Sequence, residues 1–161
     1  MGWDICIRDS SESSQYSSVM PLSYLLGCIS WGYILLHLTL GVDVREYGSG
    51  RTGMSNVLRT GGVKSAAVVL ALDVGKGVLA VVLARVVIGT TTAEVSAALA
   101  VLIGHNWPVF LQFKGGRGIL TALGGLVIMA PIAAIIATAA FLTITGFSKY
   151  ISLGSVIGVI I

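Results

Sequence analysis

Long uncharged apolar stretches alternate along this chain with short polar stretches rich in glycine, and the alternation defines its elements. Residues 20–42 carry no Asp, Glu, Lys or Arg. At a rise of about 1.5 Å per residue, such a run crosses a hydrocarbon core of about 30 Å, which predicts a first membrane helix. Residues 43–64 break the pattern with Arg45, Glu46, Arg51, Arg59, Lys64 and several glycines, a composition unsuited to lipid and expected to form a loop or helix-loop junction. A second membrane helix is predicted over 63–88, interrupted by Asp73 and Lys76 and by Arg85 near its end. A polar link at 89–94 leads to a third apolar segment, 95–103, which is expected to continue through Trp107 and Pro108 to Phe113. After Lys114-Gly115-Gly116-Arg117-Gly118 comes an uncharged stretch, 119–147, that contains Pro131. One kinked helix or a hairpin of two short helices fits this stretch. The charges favour the hairpin, because only a chain that doubles back puts Lys149 on the same face as the earlier basic loops.

The two ends of the chain read differently. Residues 1–18 hold Asp4, Arg8, Asp9 and Glu12 among serines with no apolar period, which predicts a polar, disordered leader ahead of a membrane domain over 19–161. No basic region runs directly into an apolar core there, so a secretory signal peptide is not expected. The last apolar stretch, 156–161, is too short to span a bilayer, and the chain therefore reads as incomplete at its C-terminal end.

Composition agrees with the pattern. Apolar residues make up 55% and charged residues 11%, with a mean hydropathy of +0.94. A soluble domain has about a quarter charged residues, and a disordered chain is poor in apolar ones, so both classes are excluded. The expected fold is an all-α polytopic bundle in a membrane, with short or broken helices and polar motif loops. Cys6 and Cys28 form no CxxC pair and no disulfide framework. Seven of the ten Lys and Arg residues fall in three islands, 43–64, 114–118 and 148–155. The excess of positive charge predicts a multi-pass membrane protein whose three islands face the cytoplasm. Asp73 and Lys76, three residues apart, share a helix face and are expected to form an internal ion pair.

Topology alone explains the basic residues but not the glycines. Gly48, Gly50 and Gly53 in the first island, and Gly115, Gly116 and Gly118 in the second, permit positive φ and close backbone approach, the ingredients of an anion nest. With Ser49, Ser55, Asn56, Arg59, Lys114 and Arg117 they describe a site for one or more phosphates beside a membrane. The run from Gly48 to Gly53 also fits GxGxxG, but no strand precedes it and Asp73 lies deep in a membrane helix, so a dinucleotide site is not expected. No Walker A spacing is present. The serines have no nearby His and carboxylate set, and the HxxxxD pair of common glycerolipid acyltransferases is missing, since Phe110 stands five past His105. His37 reads as a buried or interfacial side chain, whereas His105, at a helix break, can orient a loop or hold a substrate. Two histidines without a third ligand predict no metal site, and neither a cofactor nor a nucleic-acid partner is expected. Basic groups and glycine amides without a nucleophile suit a substrate that is already activated, such as an acyl phosphate, whose acyl chain lies among the apolar helices.

The motifs themselves resemble a known family. The segment from Gly48 to Gly62 (GSGRTGMSNVLRTGG), Leu72-Asp73 with Lys76-Gly77, Gly104-His105-Asn106-Trp107-Pro108-Val109-Phe110 leading to Phe113-Lys114-Gly115-Gly116-Arg117-Gly118, and the segment from Lys149 to Ser155 are similar, in order, to the PlsY family of membrane acyl phosphate:glycerol-3-phosphate acyltransferases. The resemblance implies acyl transfer from acyl phosphate to glycerol 3-phosphate, giving 1-acylglycerol 3-phosphate, with donor supplied by a soluble partner of the PlsX type. It also implies site residues. Ser49 and Arg59 are the essential pair of the first motif, with Asn56 beside them; Lys114, Gly115, Gly116, Arg117 and Gly118 cradle the glycerol phosphate with His105 adjacent, and Ser155 completes the site. Arg51 and Arg117 stand where the family commonly has Asn and Lys, and the family's last motif, a His and an Asn in a basic segment, has no counterpart. The competing expectations are a small-anion transporter with a re-entrant hairpin at Pro131, and a fragment without activity.

Overall fold

A computed structural model describes residues 2–148, and among the described residues every regular element is helical. Helices α1 (Gly2–Cys28), α2 (Trp31–Leu40), α3 (Met54–Val87), α4 (Thr91–Asn106), α5 (Ile119–Met129) and α6 (Pro131–Ser148) follow one another, with single 3-10 turns at Val44–Glu46 and Val109–Leu111. Three stretches, Ser14–Leu40, Met54–Val87 and Thr91–Leu111, are long and apolar enough to cross a membrane. α5 has 11 residues. At about 1.5 Å each that is roughly half a bilayer core.

Several predicted boundaries move. The leader, expected to lack regular structure, is helical from Gly2. The tyrosine hydroxyl of Tyr16 meets Thr90 Oγ1 at 3.0 Å, and Tyr16 packs on the apolar cluster of Val19, Ala84, Ala93 and Ala97, so packing begins before the expected boundary at residue 18. The first membrane run is not one helix but breaks between Cys28 and Trp31, leaving backbone carbonyls there without helical partners. The junction expected over 43–64 is helical from Met54, and α3 is kinked at Gly62 (φ 77°, ψ −177°). α4 starts earlier than expected, at Thr91, because Thr90 caps it by accepting from the Ala93 N–H at 3.3 Å. It also ends earlier. Pro108 follows Trp107, and the chain leaves the helix for a 3-10 turn instead of continuing to Phe113.

The helices touch through glycines. A side chain on Gly27 of α1 would meet the Val101 carbonyl of α4, and one on Gly104 would meet the Tyr24 carbonyl of α1. Gly77 of α3 lies in the same way against the Thr121 carbonyl of α5, and Gly124 against that of Val74. Lipid tails are as apolar as leucine, so helices in a bilayer associate by such close backbone packing rather than by hydrophobic burial. One end of the bundle is tied by Arg85, which holds Glu94 at 2.7 and 2.8 Å and donates to the Ile128 carbonyl at 3.1 Å. At the other end gather the loops 41–53 and 107–118, joined by Arg45 Nη1, which donates to the Leu111 carbonyl at 3.4 Å. The turn at Ala130 (φ −147°, ψ 75°) reverses the chain, and Phe141 of α6 comes back beside Ile119 and Leu120 of α5, the hairpin that the charges favoured.

Candidate anion-binding active site

Asn56 builds the first loop. Its Nδ2 donates to the carbonyls of Val44 (2.8 Å), Tyr47 (2.9 Å) and Arg51 (2.9 Å), and its Oδ1 accepts from the Ser49 N–H at 3.0 Å. With the residue only 1% exposed, its polar atoms serve the loop backbone. The resemblance placed Asn56 beside Ser49 and Arg59; its hydrogen bonds place it under the loop that carries Ser49. Gly48 (φ 57°) is glycine for two reasons, its positive φ and the Asn56 Oδ1 that a side chain would strike. Outside this hub, Arg45 pairs with Asp43, whose Oδ2 accepts from Nη2 at 2.6 Å, and its guanidinium lies 5.1 Å from the centre of the Tyr33 ring. The Arg45 side chain holds the Asp43 carboxyl below the usual carboxylate range.

The second loop folds over the end of α4. The Gly116 N–H donates to the His105 carbonyl at 3.1 Å. A side chain on Gly115 would collide with that carbonyl, and one on Gly116 with the imidazole Nε2 of His105. Gly118 alone of this loop's glycines has positive φ (73°), as the N-cap residue of α5. Gly115 and Gly116 are thus glycine because His105 leaves no room for a side chain.

The two loops enclose a cleft. From the expected set it is lined by Ser49, Gly53, Ser55, Asn56, Arg59, His105, Arg117 and Gly118, and the first turn of α5 adds Ile119 and Leu120. The leading N–H groups of a helix have no intrahelical partner and favour an anion, so α5 presents its positive end to a cleft lined by three arginines, Arg51, Arg59 and Arg117. Lys114 is exposed and, with the buried Gly115 and Gly116, is not among the lining residues. Ser155 and Lys149 lie outside the described residues. Arg51, Asp73 and Phe141 line the cleft without having been assigned to it from sequence. Arg51 carried a signal as a basic residue inside the first motif, and Asp73 as a charge in an apolar run; Phe141 arrives through helix packing that no local pattern records.

Beneath the cleft the ion pair of Asp73 and Lys76 is present, with Nζ 3.0 Å from Oδ1 and each side chain 2% exposed. It has a third member. His105, 4% exposed, places Nδ1 at 2.7 Å from Lys76 Nζ. His105 was expected to touch substrate, yet Nδ1 faces inward to the lysine. His37, by contrast, is exposed at the end of α2 and stacks on Tyr33 with ring centres 5.5 Å apart.

A membrane helix bundle with a basic, glycine-walled cleft capped by a half-length helix defines an integral membrane protein that handles an anionic substrate. Residues 18–161 match the family model described as glycerol-3-phosphate acyltransferase, and the chain belongs to that family. A glycerol-3-phosphate acyltransferase of Thermoanaerobacter pseudethanolicus is 49% identical over 137 residues, which cover 85% of this chain and 69% of the relative. Glycerol-3-phosphate acyltransferase 3 of Dehalococcoides mccartyi is 48% identical, over 88% of this chain and 71% of that one. Among solved structures, the glycerol 3-phosphate form of PlsY (YgiH), an integral membrane glycerol 3-phosphate acyltransferase, superposes with a TM-score of 0.84 at 35% identity, covering 90% of this chain and 72% of that one. The lysophosphatidic acid form of PlsY gives 0.80 at 33% identity. The transporter reading finds no support in these relatives.

Proposed function

We propose that this protein transfers an acyl group from acyl phosphate to glycerol 3-phosphate, releasing 1-acylglycerol 3-phosphate and phosphate. The observation that carries this reading is the cleft that brings Ser49 of the first loop and Arg59 of α3 to Arg117, Gly118 and the N-terminus of α5. Three arginines and a helix end suit phosphate groups. The substrate hydroxyl attacks the acyl carbonyl, a new ester C–O bond forms, the mixed anhydride C–O bond breaks, and the hydroxyl proton leaves with the phosphate. Ser49 and Arg59 stabilise the charge that develops, while Lys114, Arg117 and the loop around them hold glycerol 3-phosphate. Apolar side chains of α5 and α6 beside the cleft accept the acyl chain. The same reading places the site at the cytoplasmic face of the inner membrane, where a soluble PlsX-type partner delivers the donor.

The test is an assay in proteoliposomes with labelled glycerol 3-phosphate and acyl phosphate, run beside the Thermoanaerobacter relative. Lysophosphatidate and phosphate are expected in equal amounts. Ser49→Ala and Arg59→Ala are expected chiefly to lower kcat, and Lys114→Ala and Arg117→Ala to raise KM for glycerol 3-phosphate, by about tenfold for each charge-assisted hydrogen bond lost. Turnover with acyl thioester but not acyl phosphate would overturn the donor assignment.

A further inference from the structure

Lys76 does more in this structure than neutralise Asp73. An ammonium at bilayer depth is unfavourable unless surrounded by acceptors. Here Nζ lies 3.0 Å from Asp73 Oδ1, 3.3 Å from the Gly27 carbonyl, 3.0 Å from the Ile29 carbonyl and 2.7 Å from His105 Nδ1. The two carbonyls flank the break between α1 and α2, so the lysine serves as the cap for a helix end inside the bundle. Its shortest contact, however, is to the histidine.

An ammonium has only protons to offer. With Lys76 charged against Asp73, His105 Nδ1 must be the acceptor and Nε2 must carry the ring proton. That nitrogen stands over Gly116, at the edge of the cleft, where a side chain on Gly116 would collide with it. The His105 carbonyl meanwhile accepts from the Gly116 N–H at 3.1 Å. Ring and carbonyl together form the surface against which Gly115 and Gly116 lie, and the ring has one orientation because Lys76 fixes its inner nitrogen.

We propose that Lys76 is a positioning residue for the glycerol phosphate loop: held by Asp73 and the carbonyls at the α1–α2 break, it fixes His105 as the Nε2–H tautomer and so sets the path of the loop from Lys114 to Gly118. The proposal rests on the reading of that loop as the glycerol phosphate cradle. Removing the ammonium frees the ring to turn, shifts the loop and weakens substrate binding, without any contact between lysine and substrate.

The chain has two histidines, which makes the tautomer directly measurable. In protein labelled with 15N-histidine and carrying His37→Gln, the remaining imidazole is expected to show a bare Nδ1 and a protonated Nε2. A protonated Nδ1 with a bare Nε2 in this otherwise native protein overturns the proposal with no further variant. In Lys76→Met the signature is expected to become mixed, and the Kd for glycerol 3-phosphate, read by calorimetry in nanodiscs, to rise about tenfold, as befits a misplaced binding group. The KM for acyl phosphate is expected to stay within about twofold, because the first loop is untouched. Loss of folded protein alone lowers the number of sites and leaves Kd unchanged, so an unchanged Kd in Lys76→Met overturns the positioning role. Should Lys76→Met fail to fold, Asp73→Asn, which preserves shape, is read by the same tautomer and Kd measurements. Lys114→Ala and Arg117→Ala separate the two ideas. If they weaken glycerol 3-phosphate while folded Lys76→Met does not, the cradle stands and the positioning role falls; if neither weakens it, both fall.

Discussion

Asn56 shows how little of a site residue's role its identity reveals. Its amide donates to three carbonyls at 2.8 to 2.9 Å and accepts one N–H, a pattern that only an uncharged amide supplies. Asn56→Asp would turn a donor into a carboxylate oxygen facing those carbonyls. Acyl transfer is expected to fall about a hundredfold, since Ser49 is displaced without being altered, and kcat/KM measured on folded protein checks this. The pair of Asp43 and Arg45 predicts a smaller effect with a defined sign. Arg45 depresses the Asp43 carboxyl in the folded state, so the contribution is present above the unfolded value and is lost as pH falls through the depressed one. Side chains 24% and 22% exposed keep it small. Asp43→Asn is expected to lower stability by less than about 1 kcal/mol at neutral pH, with the difference vanishing in strong acid, as thermal melts at the two pH values will show.

Helix contacts are decided by where glycines stand, and two neighbours in α3 make the point. A side chain on Gly77 would enter the Thr121 carbonyl of α5, whereas one on Gly75 meets nothing within 4 Å. Gly77→Ala is expected to push α5 away and cost about 1–3 kcal/mol, with loss of activity because the first turn of α5 lines the cleft. Gly75→Ala is expected to be neutral or to stabilise by up to about 1 kcal/mol through helix propensity. Melting temperatures in detergent, with the two variants side by side, decide the matter. Both glycines look alike in the sequence, because the 3.6-residue period tells which residues share a face but not what faces them.

For the whole molecule, the bundle has an end tied by Arg85, Glu94 and Thr90 and an end carrying both loops. Single cysteines at Glu46 and Gln112, in protein lacking Cys6 and Cys28, are expected to be labelled from the cytoplasmic side of vesicles, and one at Thr92 only from the other. All three positions are exposed, and none lines the cleft. Labelling of Glu46 and Gln112 from opposite sides would separate the two loops and dissolve the site.

The sequence by itself determined the membrane class, the order of apolar runs and polar islands, the ion pair of Asp73 and Lys76, and the motifs that mark the family. These rest on local quantities: charge, hydropathy and spacing along one chain. Tertiary structure decided where the first run breaks, since carbonyls between α1 and α2 can stay open only with a lysine from α3 beneath them. It decided that Gly115 and Gly116 yield space to His105, and that Asn56 holds the backbone of the first loop. It also brought His105 of α4 to Lys76 of α3, 29 positions apart. A side chain's acceptors, and the room left beside a glycine, belong to neighbours that come from elsewhere in the chain. No pattern within a single segment specifies them.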